Sequence, residues 1–450
     1  MSTDSSNATR RHSVLSWAAE NFSAFLHRET SGALALLVAT IAALGIANSA
    51  FSPAYKAFWD AHAGIFAGIF QFDQSIKHWV DDALMALFFF VVGLEIKREF
   101  IVGELSTWRG AALPVFAAFG GMIAPAVVYL AFNLDGPGAN GWGVPMATDI
   151  AFSLGVLALL GSRAPQGLKV FLAALAIVDD IGTVLVIALF YTAQISAQWL
   201  LAALIPLAFL VLMNRSGIYE PLWYLGVASV MWFCVLNSGV HATIAGVIAA
   251  FAIPAKAKIT PTAFTNLSRI KIEEIDQMDV PGAHTLQDDR QQRKALEIRT
   301  AALRSTAPLQ RLEFGLHPVT AFVVLPLFAL ANANIRIVGS DGLAIHEVGL
   351  GVFFGLVAGK PLGIALASWI AVQTGLANLP HSVTWRHVVG AGMLGGIGFT
   401  MSLFMANLTF RIAGVENEAK TMVLVASMIA GTLGYCWLRF VAPAPDSSGS

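Results

Sequence analysis

The chain reads as an all-α integral membrane protein of twelve spanning helices, with both ends on the same side of the bilayer. Three observations predict this. First, 56% of its 450 residues are hydrophobic and only 12% charged, with a mean hydropathy of +0.69, whereas soluble domains carry about a quarter charged residues. Second, the apolar residues gather in twelve runs, and a span needs about 20 mostly apolar residues. Third, Lys and Arg are distributed asymmetrically between the segments that join those runs.

The runs fall near 31–50, 83–100, 110–133, 144–162, 169–192, 197–213, 221–236, 239–254, 312–335, 348–373, 388–410 and 419–439. Residues 1–30 are polar and basic at the start and lack the short apolar core of a cleavable signal, so the first run stays as a span. Residues 31–254 hold spans one to eight and 311–440 hold spans nine to twelve. Residues 1–30 and 441–450 are tails. Residues 255–310 form the one long polar segment, a loop of mixed charge with some helix in "RQQRKALEIRTAALR". With the N-terminus inside, inside segments hold 21 basic residues and outside segments 5, with Lys360 in a span; without the long loop the bias is still 11 to 5. Both termini are therefore expected in the cytoplasm. Trp79, Trp108, Trp142, Trp199, Trp223 and Trp385 lie near span ends, where interfacial tryptophans collect. A net charge of −1 gives no reason to expect a nucleic-acid partner. Cys234 and Cys436 sit in apolar runs and read as small membrane residues, not as a disulfide or metal site.

Four ionisable residues lie deep in apolar runs: Asp149 in "VPMATDIAFSLG", the adjacent Asp179 and Asp180 in "ALAIVDDIGTV", and Lys360 in "FFGLVAGKPLGIAL". A charge near the bilayer centre costs roughly 2.5–3.5 kcal/mol on insertion scales. A buried salt bridge accounts for Lys360 and one acid but not for three acids against one base. The surplus carboxylates must hold protons or another cation. Neighbours on a helix point about 100° apart, so Asp179 and Asp180 cannot both face one point; one can face a cavity while the other meets Lys360.

Two runs also look interrupted. "GVPMATDIAF" contains Pro145 and the pair Thr148–Asp149, and "MLGGIGFTMSLF" contains Gly395, Gly396 and Gly398 ahead of Thr400 and Ser402. They are the fourth and eleventh runs, each the middle member of a set of three. Broken helices at matching places in two repeats point to a transporter ion site.

The stretches "MATDIAF", "ALAIVDDIG", "FFFVVGLEIKRE", "NSGVHATIAGV", "LHPVTAFVVLPLFALANA", "GKPLGIAL" and "GIGFTMSLF" occur in one order between about residues 80 and 440. Together they resemble the NhaA-type sodium/proton antiporters. The resemblance implies an inverted-repeat transporter fold, a ten-helix core plus two peripheral helices, and two discontinuous helices that cross around Asp149 and Gly396. It implies that Asp179 and Asp180 carry the exchanged ions, with Thr148 near the Na+. It further implies that Asp149 offsets positive helix ends at the crossing and Lys360 negative ones. A cytoplasmic cluster linked to pH control maps onto Glu95, Arg98, Glu99, Glu313 and His241. The family also implies Na+ and Li+ exchange for protons without a cofactor, in a bacterial inner membrane, and a homodimer joined through the external loop at 51–65. The 255–310 loop is longer than the family pattern leads one to expect.

Other classes fit less well. An intramembrane aspartyl protease would show a Tyr-Asp pair and a Gly-x-Gly-Asp stretch, and a primary pump a GxxxxGK[ST] loop; none occurs. A Na+-coupled symporter of organic solutes would keep the fold, but the acid pair with Lys360 favours proton exchange.

Overall fold

The computed structural model describes residues 30–67, 70–192, 195–276, 289–335, 346–380 and 382–443. The tail assignments for 1–29 and 444–450, the middle of the long loop at 277–288, and Arg336 of the external basic residues lie outside the described residues.

Every predicted run coincides with a helix or a pair of helices. In chain order these are α1 (Thr30–Ala47), α4 (Met85–Val102), α5 (Trp108–Phe132), a 3-10 segment (Ala139–Met146) followed by α6 (Ile150–Ala158), and α7 (Gln166–Phe190). Next come α8 (Ala197–Arg215), α9 (Pro221–Asn237), α10 (Ala242–Ala252), α13 with α14 (Pro308–Val319, Leu325–Asn332), α15 with α16 (Glu347–Phe354, Lys360–Gln373), α17 with α18 (Trp385–Gly395, Phe399–Thr409), and α19 (Ala413–Phe440). Outside the apolar runs lie α2 (Ser52–Asp60), α3 (Ile76–Trp79), α11 (Pro261–Asp276) and α12 (Asp289–Ser305). Helices dominate for a physical reason. In hydrocarbon every backbone N–H and C=O must find a partner inside its own segment.

Among the described residues, eight helices are long and apolar enough to cross a membrane, and nine if α17 and α18, bent by 45°, count as one span. The other runs fall short for visible reasons. Helix α4 carries Glu95, Lys97, Arg98 and Glu99 in its second half. Helix α10 has 11 residues, about 16 Å at 1.5 Å per residue, roughly half the hydrocarbon core. The chain is a multi-pass, helical membrane protein, and among the described residues there is one exception that the sequence reading does not anticipate. His62–Ala67 (β1) and Phe70–Ser75 (β2) pair as an antiparallel hairpin, His62 opposite Ser75 and Ala67 opposite Phe70.

The chain divides into two compact units. The larger draws on 1–88, 99–193 and 318–450, the smaller on 89–98 and 194–317. Within the larger, α5 packs closely on α16. A Cβ on Gly120 would come 2.2 Å from the Gly363 carbonyl oxygen, and one on Gly363 2.1 Å from that of Gly120, so only glycine lets these backbones touch. Besides Val80–Leu84, two stretches of this unit widen into π-helix, Thr320–Val324 and Gly355–Gly359. Each precedes a proline, Pro326 and Pro361. A proline has no N–H for the carbonyl four residues back, so the turn before it is free to open. Within the smaller unit α8, α9 and α10 pack together, and α11 lies against α12.

Candidate functional site

The interruptions in the fourth and eleventh runs lie against each other in the larger unit. Ala147–Asp149 is non-helical between the 3-10 segment and α6, and Gly396–Gly398 separates α17 from α18. A broken helix leaves carbonyls unpaired at one end and N–H groups at the other. Each break supplies the other's partners. The Thr148 hydroxyl donates to Gly395 O at 3.0 Å, Ser153 Oγ to Leu394 O at 2.8 Å, and Asp149 N to Ile397 O at 2.7 Å. In return Ser402 Oγ donates to Val144 O at 2.7 Å. Gly396 has no room for a side chain, because a Cβ there would sit 2.5 Å from Leu356 O of the π-helical stretch.

Asp149 stands where two helix N-termini converge. One carboxylate oxygen caps α6 by accepting from Phe152 N at 3.0 Å. The other accepts from Thr400 N at 3.1 Å and Thr400 Oγ1 at 2.5 Å, at the start of α18. Helix N-termini carry partial positive charge, so a carboxylate is the fitting partner for both. Asp149 is 2% exposed.

Lys360 opens α16 immediately after the π-helical turn and is fully buried. Its ammonium donates to Asp179 Oδ2 at 2.7 Å and to the Met146 carbonyl at the end of the 3-10 segment. The cation thus meets one acid and one negative helix end. Asp179 and Asp180, each 1% exposed, sit mid-way along α7. Thr148 stands beside Asp179, and Asp180 lies within electrostatic reach of Lys360. The structure therefore brings together Asp149, Thr148, Asp179, Asp180 and Lys360. It resolves the question the helical spacing leaves open: Asp179 is the acid that meets Lys360. Arranged this way, Asp179, Asp180 and the Met146 carbonyl gather at one base with the Thr148 hydroxyl alongside, a set of oxygens suited to a hard cation or to protons, while Asp149 is taken up by the two helix N-termini.

The remaining predicted residues make other contacts. In the smaller unit, Arg98 Nη1 donates to Glu313 Oε1 at 2.5 Å, with Glu313 5% exposed. Glu95 lies on the same helix one turn before Arg98, and His241 stands at the N-cap of α10. Glu99, on the larger unit, accepts from Glu104 N at 3.1 Å. Sequence reading passes over Thr400 as a partner of Asp149. It also misses a polar chain elsewhere in the larger unit, in which Asn407 Nδ2 donates to Asn332 Oδ1 at 2.6 Å and Asn332 Nδ2 to Asp81 Oδ1 at 2.6 Å. Amides in an apolar run carry no charge to flag them; the signal available was Asp81 at the head of the second run.

A multi-pass bundle with a charged, doubly interrupted centre defines an ion-coupled secondary transporter. Comparison with known proteins narrows the class. A family profile described as Na+/H+ antiporter 1 matches residues 23–438, and the chain belongs to that family. It is 48% identical to the Na(+)/H(+) antiporter NhaA of Acidithiobacillus ferrooxidans, over 93% of this chain and 96% of that one. It is 46% identical to the NhaA of Sulfurimonas denitrificans (94% and 96% covered) and 43% identical to NhaA 1 of Saccharophagus degradans (95% and 93% covered).

Proposed function

We propose that the chain expels intracellular Na+, and Li+, in exchange for external protons, that the exchange is electrogenic with two protons per sodium, and that pH regulates it. The observation that carries this reading is the buried group on α7 and α16: adjacent Asp179 and Asp180 with one base, Lys360, held to the first. Charge balance demands a second cation for that group, and Na+ and H+ compete for the same oxygens. If only a loaded site switches between inward-open and outward-open states, competition becomes obligatory exchange.

In this reading Asp180 is the principal Na+ ligand, with Asp179 and Thr148 contributing. As Na+ enters, one proton leaves Asp180 and one leaves the Asp179–Lys360 pair, which parts; when Na+ leaves, two protons reload the same groups and the pair re-forms. Asp149 acts as a fixed counter-charge for the α6 and α18 ends. The broken helices are the crossing elements of a twelve-span inverted-repeat fold. Both termini face the cytoplasm of a bacterial inner membrane, and no cofactor takes part. The Arg98–Glu313 pair, with Glu95, Glu99 and His241, is the pH-sensing region, and two copies associate through the segment at 51–65.

The test is Na+ addition to everted membrane vesicles with no organic solute present. The reading requires proton release from the vesicle interior; a response that appears only with an organic solute would replace exchange by symport.

A further inference from the structure

We propose that Thr183 is a further oxygen ligand of the exchanged cation, set on α7 between the two carboxylates. The inference rests on the reading of Asp179 and Asp180 as the exchange site. Thr183 is four residues after Asp179 and three after Asp180. At about 100° per residue, it projects about 40° from Asp179 and about 60° from Asp180, inside the wedge the two acids define and about one turn along the axis. The other α7 positions in that wedge, Lys169, Leu172, Ala176, Ile187 and Phe190, carry no side-chain oxygen.

The hydroxyl itself points to a ligand. Thr183 is 1% exposed, and its Oγ1 is fully buried with no hydrogen-bond partner among the described residues. Threonines in helices ordinarily return the hydroxyl proton to the carbonyl four residues back. Here Thr40 does so to Leu36 O at 2.8 Å, Thr421 to Asn417 O at 2.7 Å and Thr432 to Met428 O at 2.8 Å. Thr183 does not. A buried hydroxyl with its capacity unspent is unfavourable unless something else uses it. A monovalent cation held by the neighbouring carboxylates uses its lone pair. When the acids carry protons instead, the same oxygen accepts a hydrogen bond from a protonated carboxyl, so one group serves both loaded states. Being neutral, it adds a ligand without changing the number of charges exchanged. Na+ is larger than Li+ and takes more oxygens, so an extra ligand favours Na+.

The test compares Thr183→Val, which keeps the shape and removes the oxygen, with Thr183→Ser, which keeps the oxygen. Full-length protein is reconstituted and the Na+ and Li+ dependence of exchange is measured at one pH, with Asp180→Asn in parallel. The apparent KM for Na+ should rise about tenfold in Thr183→Val, equivalent to ~1.4 kcal/mol. The rise should be smaller for Li+ and larger than the fall in kcat, and Thr183→Ser should recover the Na+ affinity. Should the valine variant fail to accumulate, Thr183→Ala carries the same comparison. Unshifted KM values for both cations, or equal losses in the valine and serine variants, overturn the assignment. Asp180→Asn separates the two levels of failure: if it still exchanges, the exchange-site reading itself falls; if it is dead while Thr183→Val matches wild type, only Thr183 is withdrawn.

Discussion

Replacing Lys360 by alanine removes the ammonium from a site where neither partner has access to water. Lys360 is 0% exposed and Asp179 1%. The substitution breaks a 2.7 Å charge-assisted hydrogen bond and strips the Met146 carbonyl of its donor. A lone buried charge costs far more than the pair, and removing one partner of a buried ion pair typically destabilises by about 3–5 kcal/mol. The same reasoning makes the loss recoverable. Asp179→Asn in the Lys360→Ala background removes the orphaned charge, so the double variant should be more stable than Lys360→Ala alone, by most of that amount. Lys360→Arg keeps the charge and should fall between wild type and Ala. The assay is thermal unfolding of purified protein in detergent, for the two single variants, the double variant and Lys360→Arg. A melting temperature for Lys360→Ala equal to wild type, or strictly additive losses in the double variant, would refute the claim that these two side chains hold each other.

Two further outcomes follow from the same structure. At limiting Na+, exchange should climb steeply as cytoplasmic pH rises from acid to mildly alkaline, because protons occupy the Na+ oxygens at low pH; a flat profile in proteoliposomes would argue against a shared site. The α11–α12 pair is joined by Lys294 to Glu274 at 2.6 Å and Lys271 to Glu297 at 3.0 Å. Hydrogen bonds from Lys294 and Lys271 hold the Glu274 carboxyl below its usual range, Lys271 does the same for Glu297, and these glutamates in turn hold the Lys271 ammonium above its own. Depressed carboxyls stabilise above their ordinary value near 4.5 and lose that contribution as pH falls through the folded values; the raised lysine contributes fully below about 10.5. Amide protection in 261–276 and 289–305, as exchange rate relative to the intrinsic rate at each pH, should therefore be greatest near neutral pH and low salt. It should fall in acid or at about 1 M salt, where screening shortens to about 3 Å; protection indifferent to both would mean that apolar contact alone pairs the helices.

Most of the fold was legible because hydrocarbon leaves few options: a long apolar run becomes a helix, and the twelve runs each contain one. The buried charges were legible for the same reason, as each is conspicuous among apolar neighbours. The choice of Asp179 over Asp180 as the Lys360 partner was not, since it depends on how α7 and α16 are rotated relative to each other. The π-helical turn before Pro361 and the glycine contact between α5 and α16 set the position of α16, and neither can be read from spacing on α7. The hairpin at His62–Ser75 was hidden because β1, "HAGIFA", lacks clean two-residue alternation and abuts apolar sequence. Thr400 went unassigned because its partner, Asp149, lies 251 residues away.

The central claim is that the buried carboxylates of α7 trade protons for Na+ with net movement of charge. Two protons entering for each Na+ leaving carry one positive charge inward, a step an inside-negative membrane assists by roughly 2.3 kcal/mol per charge for each 100 mV. The most direct measurement is transport current from purified protein on a supported membrane after a Na+ jump at constant pH. A transient current that Asp180→Asn abolishes, and Asp179→Asn nearly so, is the predicted result. Robust exchange with no current would make the stoichiometry one for one, and a current that survives Asp180→Asn would contradict the assignment of the site.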